Sequence, residues 1–210
     1  MLDQWTTRWV HPPLEKGASV LNKKGIHPDH VTLTGFLTGM TAIPLLATQH
    51  YLLALIAILI NRTLDGLDGA LARQNKATDA GGYLDITLDF IFYAGVVFGF
   101  ALADPVNNAL SASLLIFSFM GTGSSFLAYA IMAEKRKLTH PRFSHKSLYY
   151  LGGLAEGTET IIVFMLFCLL PEHFPALAKG FALICIITAY TRVWAGYKTI
   201  KYSEKKKAFD

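Results

Sequence analysis

Apolar runs of bilayer-crossing length recur along this chain at about 31–48, 51–71, 82–103, 109–132, 148–170 and 174–197, separated by short polar connections. A hydrocarbon core about 30 Å thick takes roughly 20 helical residues to cross. Inside it every backbone N–H and C=O must bond within the protein, which leaves only helices or a closed barrel. No two-residue alternation of apolar and polar side chains runs through any of the six segments, so a barrel is not expected. Charged residues make up 16% of the 210 positions, against about 25% in an ordinary soluble domain. Soluble enzymes, disordered chains and fibrous repeats are therefore excluded. The expected fold is an all-α integral membrane protein of six transmembrane helices, preceded by an N-terminal amphipathic interfacial helix. The chain then divides into an N-terminal cytoplasmic or interfacial segment at 1–30, a membrane domain at 31–200 and a basic tail at 201–210.

The net charge of +4 does not point to nucleic acid, because the basic residues lie beside apolar spans rather than along one polar face. Lys135, Arg136, Lys137, Arg142 and Lys146 follow the fourth span, and Lys198, Lys201, Lys205, Lys206 and Lys207 follow the sixth. The alternate loops hold only Lys179. Basic loops stay on the cytoplasmic side, so both termini and the turn between spans two and three are expected there, in a multi-pass protein of a bacterial inner membrane. The tail's lysines suit attraction to anionic lipid. Ahead of the first span, Trp5, Trp9, Val10, Leu14, Val20 and Leu21 alternate with Arg8, Lys16, Lys23 and Lys24, as an interfacial helix requires. A disordered basic arm is the alternative, and Pro12 and Pro13 are expected to break any single long helix there. No cleavable signal peptide is expected, because Asp3, Glu15 and the two prolines interrupt the start of the chain. Cys168 and Cys185 fall within apolar runs and are expected as packing thiols.

Chemistry concentrates in NRTLDGLDGALARQNKATDAGGYLDITLDF, residues 61–90. Asp65 and Asp68 are three apart, and Asp85 and Asp89 four apart, so each pair shares a helix face. Two such faces joined by a short connection bring four carboxylates toward one point. Buried carboxylates repel one another and mark function when they occur in a membrane span. An oxygen-only set without Cys or His suits Mg²⁺, Mn²⁺ or Ca²⁺ rather than zinc, and paired ions of this kind clamp a phosphoryl group during displacement. Gly66, Gly69, Ala70 and Ala72, with Ala80, Gly81 and Gly82, remove side-chain bulk where the two backbones would approach. Those small residues are read either as room for a flat ligand or as a plain helix contact.

The string Asp65, Asp68, Gly69, Ala72, Arg73, Gly81, Asp85 and Asp89, at these spacings, resembles the signature of the CDP-alcohol phosphatidyltransferase family, in particular its phosphatidylglycerophosphate and phosphatidylinositol-phosphate synthases. The resemblance implies attack by an acceptor hydroxyl on the β-phosphorus of a CDP-linked donor, with release of CMP. By that resemblance Asp65 and Asp85 would bridge two divalent cations, Mg²⁺ or Mn²⁺, and Asp68 would complete the first. Asp89 would serve the second ion and act as the catalytic base. Gly69, Ala72, Arg73, Thr78 and Gly81 would contact the CDP moiety; Arg73, a planar fork of donors, suits a diphosphate or, read plainly, a snorkelling anchor. Upstream, Pro28, Val31 and Thr32 match the family's Pro-Asn-x-x-Thr lead into the first span and join the expected CDP contacts. Asp29 replaces the usual Asn, and an anion beside CDP needs a cation such as Lys23, Lys24 or His30. The donor implied is CDP-diacylglycerol or a related liponucleotide, the partners a small alcohol, membrane lipid and a second copy in a homodimer, with no nucleic acid.

The acceptor stays open at this level. Glu156 and Glu159 are read as one helix face near the start of the fifth span, with Arg192 at similar depth in the sixth. A phosphorylated acceptor would use Arg192 with Lys135, Arg136 and Arg142; an amine or neutral polyol would use Glu156 and Glu159. A Glu–Arg pair pinning two helices is the structural alternative. Thr122, Ser124, Ser125 and Tyr129 offer hydroxyls to the same region, although helix hydroxyls commonly bond their own backbone. His140 and His145 are read as solvated loop residues. Two competing functions remain: transfer of a soluble CDP-linked headgroup to a diacylglycerol-type lipid, and cation transport. Transport requires acids continued along a path near the bilayer midplane, whereas these cluster at one edge.

Overall fold

The computed structural model describes the backbone of residues 3–137 and 153–207, and within them the side chains of 11–137 and 153–203. Arg142, Lys146, His140 and His145 lie outside the described residues, as do the side chains of Trp5, Trp9, Arg8 and Val10 and of the lysines at 205–207. Every regular element among the described residues is helical: α1 Asp3–Lys23, α2 Pro28–Met40, α3 Ala42–Ala47, α4 Tyr51–Asn75, α5 Asp79–Ala103, α6 Pro105–Lys135, α7 Gly157–Leu169 and α8 Phe174–Lys207, the last preceded by a 3₁₀ turn at Pro171–His173.

Among the described residues four stretches are long and apolar enough to cross a membrane: Pro28–Ala47, Asp79–Ala103, Pro105–Lys135 and Pro171–Ser203. The other two expected spans differ for separate reasons. α4 has the length, 25 residues, but carries Arg62, Asp65 and Asp68 in its second half. α7 begins only at Gly157, after a non-helical stretch at 153–156, and its 13 residues rise about 20 Å. The first apolar run is also divided, at Thr41, between α2 and α3. Pro44 explains the division, because it has no N–H to give the Met40 carbonyl and its ring crowds that turn.

At the N-terminus the expected break does not occur: α1 runs unbroken through Pro12 and Pro13. Two lost backbone bonds are offset by docking, because Leu14, Ala18 and Leu21 pack with Leu64, Leu67, Ala70 and Leu71 of α4 and Val31 of α2. This small cluster lies at one end of α4. The main core lies toward its other end, where Ala54, Ala57 and Ile58 meet Phe92, Val96 and Phe100 of α5, Phe164 and Phe167 of α7, and Phe174. Phe100 stacks on Phe174 at 4.7 Å and on Tyr51 at 5.9 Å. Cys168 and Cys185 are buried free thiols, as expected. At the α5–α6 corner, Asp104 accepts hydrogen bonds from Asn107 Nδ2 (2.7 Å) and N (3.2 Å); these hold its carboxyl below the usual range and cap α6.

The segment of α4 between the two apolar clusters is polar, and α2 lies close against it through glycines. A Cβ on Gly39 would come within 2.8 Å of Asn61 Cγ and Nδ2 and of Phe92 Cε2, and one on Gly35 would meet Leu64 Cβ at 3.0 Å. Asn61, buried, uses the approach to donate to the Gly35 carbonyl at 2.9 Å. Gly39→Val should therefore destabilise the protein by about 1–3 kcal/mol through overpacking, read as a lower melting temperature in detergent. Gly82→Ala, where nothing lies within 4 Å of the added carbon, should leave the melting temperature unchanged.

Candidate active site

Asp65 and Asp68 face the cavity from α4, and Asp85 and Asp89 from the first turns of α5. One carboxylate oxygen from each of Asp65, Asp85 and Asp89 falls within 4.8 Å of the others. Asp68 lines the same cavity with Thr32, Gly35 and Phe36 of α2. It is only 4% exposed, and its Oδ2 is buried without a hydrogen-bond partner among the described residues. Helical spacing alone predicted the pairing on each helix; the convergence of the two pairs depends on how α4 and α5 are held.

Their backbones do not pack closely on each other, although their side chains meet in the main core and through Arg62. α4 packs chiefly against α1, α2, α3 and α7, and α5 against α2, α3 and α6. The expectation that the glycines and alanines mark a close approach of these two backbones is thus corrected residue by residue. Gly66 faces α1, where a Cβ would meet Leu14 Cδ1 at 2.7 Å, and Ala70 is buried in the small apolar cluster. Gly69 has only its own Arg73 Nη1 at 3.5 Å, and Gly82 has open space. The small residues thus divide between a helix contact with α1, at Gly66 and Ala70, and positions with no close neighbour from another helix, at Gly69 and Gly82.

Arg62 is the residue that sequence reasoning missed. Its Nη2 donates to Asp89 Oδ1 at 2.7 Å, its Nη1 lies 3.5 Å from Asp65 Oδ2, and Nη1 also donates to the Tyr93 hydroxyl at 3.1 Å. The Nε donates to Asn61 Oδ1 at 2.7 Å. The guanidinium carbon stands 4.7 Å from the Phe92 ring centre and 5.2 Å from that of Tyr93. A signal was available, since Arg62 precedes Asp65 by three residues on a helix, but that rule does not reveal the bond across to Asp89.

Thr78 caps α5 by accepting from Gly81 N at 3.0 Å. A Cβ on Gly81 would sit 3.1 Å from Thr78 Oγ1 and 3.2 Å from Asp29 Oδ1. The expected CDP contacts Thr78 and Gly81 therefore share one corner with Asp29. The side chain beside Asp29 is His27, Nδ1 to Oδ2 3.4 Å, rather than Lys23, Lys24 or His30. The same Nδ1 lies 3.4 Å from Asp29 N, so it either accepts from the amide or, protonated, donates to the carboxylate. Pro28 opens α2, Thr32 Oγ1 donates to the Pro28 carbonyl at 3.2 Å, and Val31 is buried in the small cluster. Arg73 is exposed and Ala72 half-buried on the last turns of α4.

The acceptor candidates are dispersed. Arg192, 7% exposed, donates to the Thr122 carbonyl at 3.4 Å and lies 5.7 Å from the Phe126 ring centre. It also packs close against Gly153, where a Cβ would come 3.0 Å from Nη2. Glu156 does not share a helix face with Glu159: it is the extended N-cap residue of α7, and its Oε1 accepts from Gly153 N at 2.9 Å. The chain turns there because Leu154 and Ala155 amides donate to Thr188 Oγ1 instead of continuing a helix. Lys135 is exposed and Arg136 half-buried at the end of α6. Thr122, Ser124 and Ser125 donate to their own helix carbonyls. Gly157, at the start of α7, lies 3.9 Å (as a Cβ) from the Tyr93 hydroxyl that receives Arg62, which sets this region beside the aspartates.

A helical bundle with four membrane-length apolar stretches among the described residues, and a carboxylate cluster between α4 and α5, is a membrane protein with a donor set that could hold a hard divalent cation. The family model for CDP-alcohol phosphatidyltransferase matches residues 25–195, and the chain belongs to that family. It is 54% identical over 206 residues, 98% of this chain and 100% of the relative, to Inner membrane protein YnjF of Escherichia coli. It is 32% identical to archaetidylinositol phosphate synthase of Pyrococcus horikoshii, over 93% of this chain and 95% of that one. Its fold matches crystal structures of the Mycobacterium tuberculosis phosphatidylinositol phosphate synthase. The form with CDP-DAG bound has a TM-score of 0.64 at 20% identity, covering 88% of this chain and 93% of that one. The form in complex with manganese and citrate gives 0.66, again at 20% identity, covering 88% of each.

The donor set fits a divalent ion on this structure's own terms: four carboxylates line one cavity, a single guanidinium contacts two of them, and a buried Asp68 oxygen has no hydrogen-bond partner among the described residues. Asp68→Asn should accordingly raise the melting temperature of the chelator-treated protein, because it removes one of four mutually repelling carboxylates. Thermal unfolding in EDTA measures it.

Proposed function

We propose that the protein transfers a phosphatidyl group from CDP-diacylglycerol, or a related liponucleotide, to a small phosphorylated alcohol, releasing CMP. The observation that carries this is the convergence of Asp65, Asp85 and Asp89 within 4.8 Å, beside Asp68, in a member of this family. Asp65, Asp68, Asp85 and Asp89 would hold two divalent cations, Mg²⁺ or Mn²⁺, which supply electrostatic stabilisation of charge developing on the phosphates and on departing CMP. Asp89 accepts the proton of the acceptor hydroxyl as its oxygen bonds to the β-phosphorus and the bond from that phosphorus to the oxygen of CMP breaks. Arg73 pairs with the diphosphate, Gly69 and Gly81 let it approach the backbone, and Thr78, Ala72, Pro28, Val31 and Thr32 shape the nucleotide side.

Two observations favour a phosphorylated acceptor. Relatives are named archaetidylinositol phosphate synthase and phosphatidylinositol phosphate synthase. Glu156, one of the two alternative handles for an amine or neutral polyol with Glu159, already spends one oxygen on the α7 turn. Arg192, whose charge is permanent, is the proposed phosphate contact, with Lys135, Arg136 and Arg142 drawing the anion in. The remaining architecture is part of the same reading: six crossings including α4 and α7, α1 lying at the interface, the termini and the aspartates cytoplasmic, the segments 1–30, 31–200 and 201–210 distinct, and two copies forming a homodimer in an inner membrane.

Incubation with labelled CDP-diacylglycerol and a panel of alcohols should release CMP only with a phosphorylated polyol. Release with none of them would overturn the reading. EDTA should abolish turnover and added Mg²⁺ or Mn²⁺ restore it; full turnover in chelator would exclude the metal role. Asp89→Asn should keep most donor affinity and lose at least about 10²-fold in turnover, as expected for a general base, whereas Asp65→Asn should impair both. Arg192→Gln should raise the acceptor KM about ten-fold or more, the loss of a charge-assisted contact, with donor affinity unchanged.

A further inference from the structure

Arg62 occupies none of the eight spaced motif positions, yet it is the one cation bonded to the aspartates among the described contacts. Its guanidinium is always charged, and it touches only part of the cluster. Asp89 receives Nη2 at 2.7 Å and Asp65 lies 3.5 Å from Nη1, while Asp68, on the same cavity, keeps a buried oxygen with no hydrogen-bond partner among the described residues. Charge compensation is therefore uneven: the Asp65–Asp89 side already holds a cation and the Asp68 side does not.

The guanidinium is also fixed in place. Asn61 Oδ1 receives its Nε at 2.7 Å and the Tyr93 hydroxyl its Nη1 at 3.1 Å. Asn61 is itself tied to the Gly35 carbonyl at 2.9 Å, and Phe92 and Tyr93 face the cation. With three of its nitrogens engaged, Arg62 is held where another cation would approach Asp65 and Asp89. The two must share those carboxylates. Each N–H bond withdraws lone-pair density from an oxygen that a metal would use, and the two positive charges repel at short range.

We infer that Arg62 is a resident counter-cation that weakens divalent-ion binding on the Asp65–Asp89 side, so that this side fills tightly only when an anionic diphosphate adds its charge. This deepens the reading of the four aspartates as metal ligands and rests on it. The consequence is ordered loading: one ion held by the nucleotide-free protein, the second acquired with the donor. Such coupling keeps a metal-activated centre incomplete until substrate is present.

Manganese binding tests this without reference to turnover. Purified wild-type protein, Arg62→Gln and Arg62→Lys are titrated with Mn²⁺ by calorimetry, each with and without CDP as a soluble diphosphate probe. Wild type should bind one Mn²⁺ without CDP and two with it. Arg62→Gln should bind two without CDP, its weaker site tightened about ten-fold, a typical coupling between sites; Arg62→Lys, which keeps the charge, should stay near wild type. Unchanged or weaker Mn²⁺ binding in folded Arg62→Gln would overturn the inference. Failure of wild type to bind Mn²⁺ in either condition would instead overturn the metal reading beneath it. Should Arg62→Gln not fold, Tyr93→Phe, which frees one N–H of the guanidinium, should tighten the weaker site by about two- to three-fold, again through that coupling; an unchanged affinity there would equally refute the role.

Discussion

A guanidinium buried among carboxylates, in a chain otherwise built of apolar helices, is the interaction around which this bundle is arranged. Arg62 and Asp65 sit 3.5 Å apart on one helix, and Asp89 comes to Arg62 from another at 2.7 Å. Groups of this kind cannot face hydrocarbon. The polar part of α4 is accordingly enclosed by α1 and α2, with α2 brought near by Gly35 and Gly39 and α1 by Gly66. Apolar clusters above and below complete the enclosure.

The enclosure is not complete. The backbones of α4 and α5 rest chiefly on other helices, and between their polar parts lies a cavity lined by Asp65, Asp68, Asp85 and Asp89. A sequence selected for stability alone would close this space and match its charges. Here a single guanidinium contacts two of the four carboxylates, and a buried Asp68 oxygen has no hydrogen-bond partner among the described residues. Such under-compensation is characteristic of a centre completed by a ligand.

Membership of the CDP-alcohol phosphatidyltransferase family gives this imbalance a chemical setting, since the family match spans residues 25–195 and so includes both halves of the centre. The likeness to YnjF extends over 98% of the chain, which places the helix ahead of the family region, α1, within the shared architecture as well. α1 contributes through contact: Leu14 fills the space above Gly66, and Leu14 and Leu21 close the small cluster against which the end of α4 rests.

Much of this was legible in the linear sequence, because two properties are local. Apolar runs of crossing length and a shortage of charge dictate helices in a bilayer whatever their neighbours, and acids three or four residues apart must share a helix face. The motif aspartates, the family and the buried thiols follow from such patterns. Helix ends were less legible. Pro12 and Pro13 persist inside α1 because docking on α4 outweighs their lost bonds, Pro44 divides the first span, and Thr188, distant in sequence, captures the Leu154 and Ala155 amides within the stretch expected as the fifth span. Only tertiary structure decided that Arg62 bonds Asp89, that His27 lies beside Asp29, and that of the glycines of α4 Gly66 meets another helix and Gly69 does not. Those outcomes depend on which helix faces which across the bundle, and spacing along one chain segment carries no information about direction across another.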